Sequence, residues 1–172
     1  ETIRKKLSAI LATTRLAPDP LPQIYFGGAS DAAEQIAARH ADVYLAWGEP
    51  PEMVAPRVAR MRELAAANGR TVRFGIRLHV ITRDRAEDAW AETERFLDAI
   101  PSDVVDQAQD QLGKTQSVGQ QRMQSLHGGR REDLVVSPNL WAGIGLVRGG
   151  AGTALVGSHD EVAERITEYH EL

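Results

Sequence analysis

"RTVRFGIRLHVITR", residues 70–83, decides the fold. By the two-residue period of a strand, Phe74, Ile76, Leu78 and Val80 share one face and Arg73, Gly75, Arg77 and His79 the other. One face packs; the other carries a guanidinium and an imidazole. Two more strands are expected upstream, in "QIYFGG" at 23–28 and "DVYLAWGEPP" at 42–51. Each runs into a helical pattern. "SDAAEQIAARH" follows the first with Ser30 as N-cap, and residues 52–68 follow the second, with a late start or a kink expected at Pro56. A third helix is predicted over 85–99. Strands alternating with helices imply parallel strands joined by crossovers, hence an α/β fold with about three parallel strands.

Outside this rhythm, residues 1–12 read as a helix, which "LAPDPLP" ends, so 1–18 stand apart from 19–172. Residues 101–137 read as an insertion with helices near 103–112 and 117–126. "SPNLWAGIGLVRGGAGTALVG", 137–157, is dense in glycine, and Ser158 starts a last helix.

The 172 residues suffice for one core, and 42% hydrophobic content is ordinary for a globular protein. The net charge is −4, with 20 Lys and Arg interspersed among 24 acids, so no basic stripe offers itself to nucleic acid. No apolar run reaches the roughly 20 residues of a membrane span, and no signal-peptide profile opens the chain, so a cytoplasmic location is expected. There is no cysteine, and the five histidines include no close helical pair, so no metal site is expected. His127 and His159, in polar loop-like contexts, read as solvated.

Three stretches carry candidate chemistry. In "YFGGASDAAEQ" a strand end meets a helix start, where free N–H groups and the helix dipole favour an anion; Gly27, Gly28 and Ser30 either contact a phosphate or simply make a tight turn. Arg77 and His79 either meet an anionic ligand or lie on a solvated strand face. Arg148, bracketed by glycines, belongs either to a lid over 143–157 or to a flexible linker. Trp47 is core, or the wall of a site for a flat ring. Neither "YFGGAS" nor "GIGLVRGGAG" contains G-x-G-x-x-G, so a dinucleotide fold is not supported.

Taken together and in order, "YFGGASDAAEQIAA", "YLAWGEPPE", "RFGIRLHVI", "SVGQQRM" and "SPNLWAGIGLVRGGAGTALVG" resemble the alkanesulfonate monooxygenases of the bacterial luciferase family over residues 20–170. The resemblance implies a TIM (β/α)8 barrel and a reduced-FMN (FMNH2) dependent enzyme that uses O2 to release aldehyde and sulfite from an alkanesulfonate. A separate NAD(P)H:FMN reductase would supply the flavin. It implies site roles for Arg77, which would hold the sulfonate or stabilise the oxygenated flavin, and for His79, in positioning or proton transfer. Arg148 would close over the flavin, Gly27, Gly28 and Ser30 would contact its phosphate, and Trp47 would stand near the site. Methanesulfonate-specific relatives look equally similar, and a non-catalytic flavin- or anion-binding module, or a structural remnant of a split barrel, is the reading from another class.

The departures are specific. Position 29 is Ala where the relatives read Ser, residues 1–18 match nothing that precedes "YFGG" in the family, and the family's "SGYPH" stretch has no counterpart. A barrel of this kind takes eight strands and about 250 residues. The expectation is therefore a C-terminal portion of the barrel, strands five to seven, which alone is either poorly stable or pairs with another copy as a homo-oligomer, and which is not expected to be active by itself.

Overall fold

The computed structural model describes Ala9 and residues 23–172; the N-terminal helix expected over 1–12 lies, Ala9 apart, outside them. Strands β1 (Tyr25–Gly27), β2 (Val43–Trp47) and β3 (Arg73–Arg77) form a parallel sheet in that order, with α1 (Asp31–His40) and α2 (Pro51–Ala67) as crossovers. The register aligns Phe26, Tyr44 and Phe74 in one row. That row packs with Ala37, Ala38 and Ala41, at the end of α1, and with Met61 and Leu64 of α2, so both helices cover the same face. The opposite face, Leu45 between Gly27 and Gly75 and Trp47 beside Arg77, is left to the interior side. A parallel sheet with its helices on one face is an arc of a barrel rather than a doubly wound sheet.

Local sequence explains the helices. The Ser30 hydroxyl accepts from Ala33 N–H, Asp31 and Glu34 occupy the first turn of α1, and Arg39 and His40 the last, matching the helix dipole at both ends. Pro51 starts α2 at a position where its missing N–H costs nothing, and the helix runs on through Pro56 to Ala67. The late start expected there does not occur.

The opening stretch is not one strand. Alternation holds through Arg77, then Leu78 leaves the ladder and β4 (His79–Arg83) pairs in a second sheet of order β4-β7-β6-β5. The phase changes with the partner: Val80, expected on the packed face, is 49% exposed, while Ile81 packs on Ala89 and Trp141. The second sheet pairs β4 in parallel with β7 (Ala154–Ser158); β6 (Leu140–Trp141) and β5 (Val135–Ser137) add on antiparallel. Helix α3 (Ala86–Asp98) covers one face of this sheet, and α6 (His159–Glu171), started by a Ser158/Glu161 capping box, covers the other. Helices α4 (Ser102–Leu112) and α5 (Val118–His127) fall close to the two helices expected in the insertion.

The count of three strands was thus short, and the Gly-dense stretch hid two of the missing strands, β6 and β7. Residues 154–157, expected in the lid, belong to β7; what precedes them is a 3-10 turn, Gly143–Leu146, and an irregular segment 147–153. Among the described residues, no helix is long and apolar enough to cross a membrane.

Gly48 marks the place where the two sheets part. Its N–H donates to Arg77 O at 2.9 Å, His79 N–H donates to Thr153 O at 2.9 Å, and the Thr153 hydroxyl donates to Gly48 O at 2.5 Å. A Cβ at Gly48 would stand 2.7 Å from both Leu78 Cβ and Thr153 Oγ1. Gly48→Ala should therefore lower stability by about 1–3 kcal/mol, as overpacking does. Urea unfolding of the two proteins measures it, and equal midpoints would show that this junction is not tightly packed.

Candidate active site

The C-terminal ends of three parallel strands come together at one edge. Gly27, Gly28, Leu45 and Trp47 line a cavity of about 200 Å³, which Ala29, Glu49, Arg57, Ser117 and Gly119 complete. Gly27 and Gly28 offer backbone at the end of β1. Trp47 is half-buried, and α5 lies against its ring closely enough that a Cβ on Gly119 would be 3.0 Å from it. Trp47 is therefore a wall rather than interior core. Ser30 stands just outside the lining, its oxygen accepting from Ala33 N–H at 3.3 Å, which leaves its hydroxyl proton free to donate.

Arg77 ends β3 directly across from Trp47. It is exposed, and among the described residues its guanidinium meets no hydrogen-bond or ion-pair partner. Two residues on, His79 meets the lid: Arg148 Nη1 lies 2.9 Å from His79 Nε2, with Ala151 O 3.2 Å from the same nitrogen. A guanidinium only donates, so Nε2 accepts from Arg148 and the ring proton sits on Nδ1. The Ala151 carbonyl becomes a partner for Nε2 only when that nitrogen carries a proton. His79 and Arg148, 69 residues apart in sequence, thus form a pair with two exclusive hydrogen-bonding states.

One group at the site, the Glu49 carboxylate with its two arginines, is not singled out by the sequence. Glu49, in "GEPPE", is 1% exposed and receives Arg57 Nη1 at 2.7 Å and Arg122 through Nε and Nη2 at 2.5 and 3.0 Å. Arg57 also donates to Tyr44 Oη at 3.3 Å, and Tyr44 donates to Gly28 O at 2.6 Å, so the carboxylate is wired to the glycine turn. Burial raises the Tyr44 and Tyr169 hydroxyls above their ordinary pKa, which keeps both as donors; Tyr169 gives its proton to Glu49 O at 2.7 Å. No spacing rule links positions 49, 57 and 122; the single signal was an acid at the end of a buried strand.

His127, expected in solvent, is 4% exposed on the face of α5 that packs on the 3-10 turn. Its Nδ1 accepts from Gly129 N–H at 2.9 Å, so the neutral ring carries its proton on Nε2, which abuts Gly145 and has no acceptor among the described residues. The polar context that read as a loop is the last turn of α5, which Gly128 caps in the left-handed conformation.

A profile of the family described as "Luciferase-like monooxygenase" matches residues 5–172. The chain belongs to that family. The fold is also that of several solved structures. A riboflavin lyase, RcaE, with modified FMN and riboflavin, superposes with a TM-score of 0.62 at 21% identity over 87% of this chain and 36% of its own. DmoA from Hyphomicrobium sulfonivorans gives 0.62 at 22% identity, over 90% and 37%. The long-chain alkane monooxygenase LadA gives 0.61 at 17%, over 87% and 34%. The chain thus spans a little over a third of the length of these proteins.

Two outcomes test the site's construction. Glu49→Gln leaves two guanidiniums facing a neutral amide and should cost about 3 kcal/mol in urea unfolding, in the range for breaking a buried pair. His127 gives a pH dependence. Burial lowers its pKa, so the unfolded chain takes up this proton near pH 6.5 and the folded protein only below that. The stability it contributes is complete above about pH 6.5 and declines as pH falls toward the lowered value, by up to about 1.4 kcal/mol per pH unit. The stability gap between the parent and His127→Asn, which keeps an acceptor for Gly129 N–H, should narrow from pH 7 to pH 5; a constant gap would remove His127 as the linked group.

Proposed function

We propose that this chain carries the flavin- and substrate-facing part of an FMNH2-dependent monooxygenase that desulfonates alkanesulfonates to aldehyde and sulfite with O2. A separate NAD(P)H:FMN reductase would supply the flavin. The observation that carries it is the convergence, at the C-terminal ends of parallel strands, of an anion-compatible turn, an aromatic wall, an arginine without a partner among the described residues and a lid arginine resting on a histidine.

The residues fit one end of the cofactor. A cavity of about 200 Å³ is smaller than the roughly 300 Å³ at the low end for whole ligands, so it suits the phosphate end, held by the Gly27–Gly28 backbone, the start of α1 and the Ser30 hydroxyl. The hydroxyl that the relatives carry at position 29 is missing, and Ala29 lines the same cavity. Reduced flavin, when bound, supplies the electrons that activate O2. The chain's own residues do the rest. Arg77 presents a guanidinium fork suited to a sulfonate, and Trp47 excludes water from one side. His79 accepts or releases a proton at Nε2, toward Ala151 O, once Arg148 has moved from that nitrogen onto an anionic ligand.

Anaerobic titration with FMNH2 and with FMN, read by flavin fluorescence, tests this. The reduced form should bind more tightly, Ala29→Ser should strengthen binding, and Arg148→Ala should weaken it about tenfold, as the loss of a charge-assisted hydrogen bond does. Arg77→Ala should leave flavin affinity nearly intact and abolish the effect of added octanesulfonate on it. No binding of either redox form, or an unchanged octanesulfonate effect in Arg77→Ala, would overturn the assignment.

A further inference from the structure

The lid is held from outside the strand ends. Gly145 N–H donates to Gly152 O at 2.9 Å, so residues 145–152 form a closed loop with Arg148 at its middle. Two amides on the α4–α5 arm pin it. Gln109 Nε2 of α4 donates to Leu146 O at 2.6 Å and to Gly145 O at 3.3 Å. Gln120 of α5, 6% exposed, accepts from Gly150 N–H through Oε1 at 2.8 Å. Only three residues separate the two pins, and Arg148 is the central one.

We infer that Gln120 is a positioning residue for the lid: its carbonyl holds Gly150 so that Arg148 lands on His79. Among the described residues Gln120 makes no hydrogen bond to the groups proposed to meet substrate or cofactor; it acts through Arg148, and its bearing on activity rests on the site reading given above. Its Nε2 is buried and has no acceptor among the described residues. That orphaned donor is a cost of the closed arrangement which an open lid would relieve by letting in water. The clasp therefore holds by one hydrogen bond against an opposing desolvation term, as a segment that must open requires. The arm is in turn fixed to the strand ends, because Arg122, two residues after Gln120 on the same helix, grips Glu49 at 2.5 and 3.0 Å.

Amide exchange and nitrogen NMR of the full chain, without flavin, test the inference. Gln120→Met keeps the volume and loses the acceptor; Gln120→Glu keeps the acceptor. Met should speed exchange at the Gly150 amide about tenfold, the worth of one hydrogen bond, and shift the His79 Nε2 resonance, while Glu stays near the parent. Val156 N–H, which donates to Asn139 O at 2.7 Å in the second sheet, serves as the control for an intact fold. Gln120→Leu replaces Met if Val156 is disturbed. Exchange at Gly150 unchanged in Met, or equally fast in Met and Glu, would overturn the role of the carbonyl. Because no flavin is present, a failure to bind FMN in the earlier titration overturns the functional proposal and leaves this result standing.

Discussion

The Glu49 carboxylate is the contact on which the rest of the arrangement depends. It lies two residues past β2, and it accepts from α2 through Arg57 and from α5 through Arg122, while its own backbone carbonyl accepts a hydrogen bond from Tyr169 of α6. The end of β2 and three helices therefore meet on one residue that is 1% exposed. Two guanidiniums on one carboxylate leave an excess positive charge beside the Gly27–Gly28 cavity, and Arg57 lines that cavity itself. A structural ion pair and an anion-binding wall are then the same group of atoms. Desolvating a carboxylate is expensive, and here three charge-assisted hydrogen bonds from two arginines offset it, while Tyr169 satisfies the backbone carbonyl of the same residue.

The second constraint is the change of partner at Leu78. A single strand crossing both sheets would keep its inner face pointing one way throughout; parting at Gly48 lets β3 end with Arg77 beside Trp47 while β4 delivers His79 to the root of the lid. Thr153 locks the crossing with its hydroxyl on Gly48 and its carbonyl on His79 N–H. The Arg77 and His79 that look adjacent on a strand thus serve different neighbours. One is left open at the strand ends; the other is engaged by Arg148.

Local physics made the first sheet legible. Alternation through 73–77, the apolar stripes of α1 and α2 and the glycine turn after β1 are all short-range patterns, and the chain obeys them. What sequence could not carry was non-local. β7 is buried on both faces, so its "ALVGS" has no alternation to see, and its glycine neighbours imitate a loop. Val80 follows the strand period and still lies 49% exposed, because its sheet partner changes two residues earlier. Glu49 looked like one acid among 24, since nothing near it announces an arginine 73 residues away. Of the candidate residues, Gly27, Gly28 and Trp47 gather at one cavity and His79 and Arg148 at one contact, whereas Ser30 is occupied in part by its cap.

The arm from α4 to α5 looked like a passive insertion, yet it holds three polar groups against the lid: Gln109, Gln120 and His127. Two of these leave a buried nitrogen without an acceptor among the described residues, two turns apart on the same helix. Native interiors satisfy nearly all such atoms, so two orphans on one helix are a cost that packing elsewhere must cover. Helix α5 supplies it at its other end, where Gly119 lies on Trp47 and Arg122 grips Glu49. The arm is thus stably attached to the strand ends and weakly attached to the lid. An opening motion will break at the weaker joint first, freeing residues 147–150 while Thr153 stays on Gly48, α5 stays on Trp47 and the cavity wall keeps its shape.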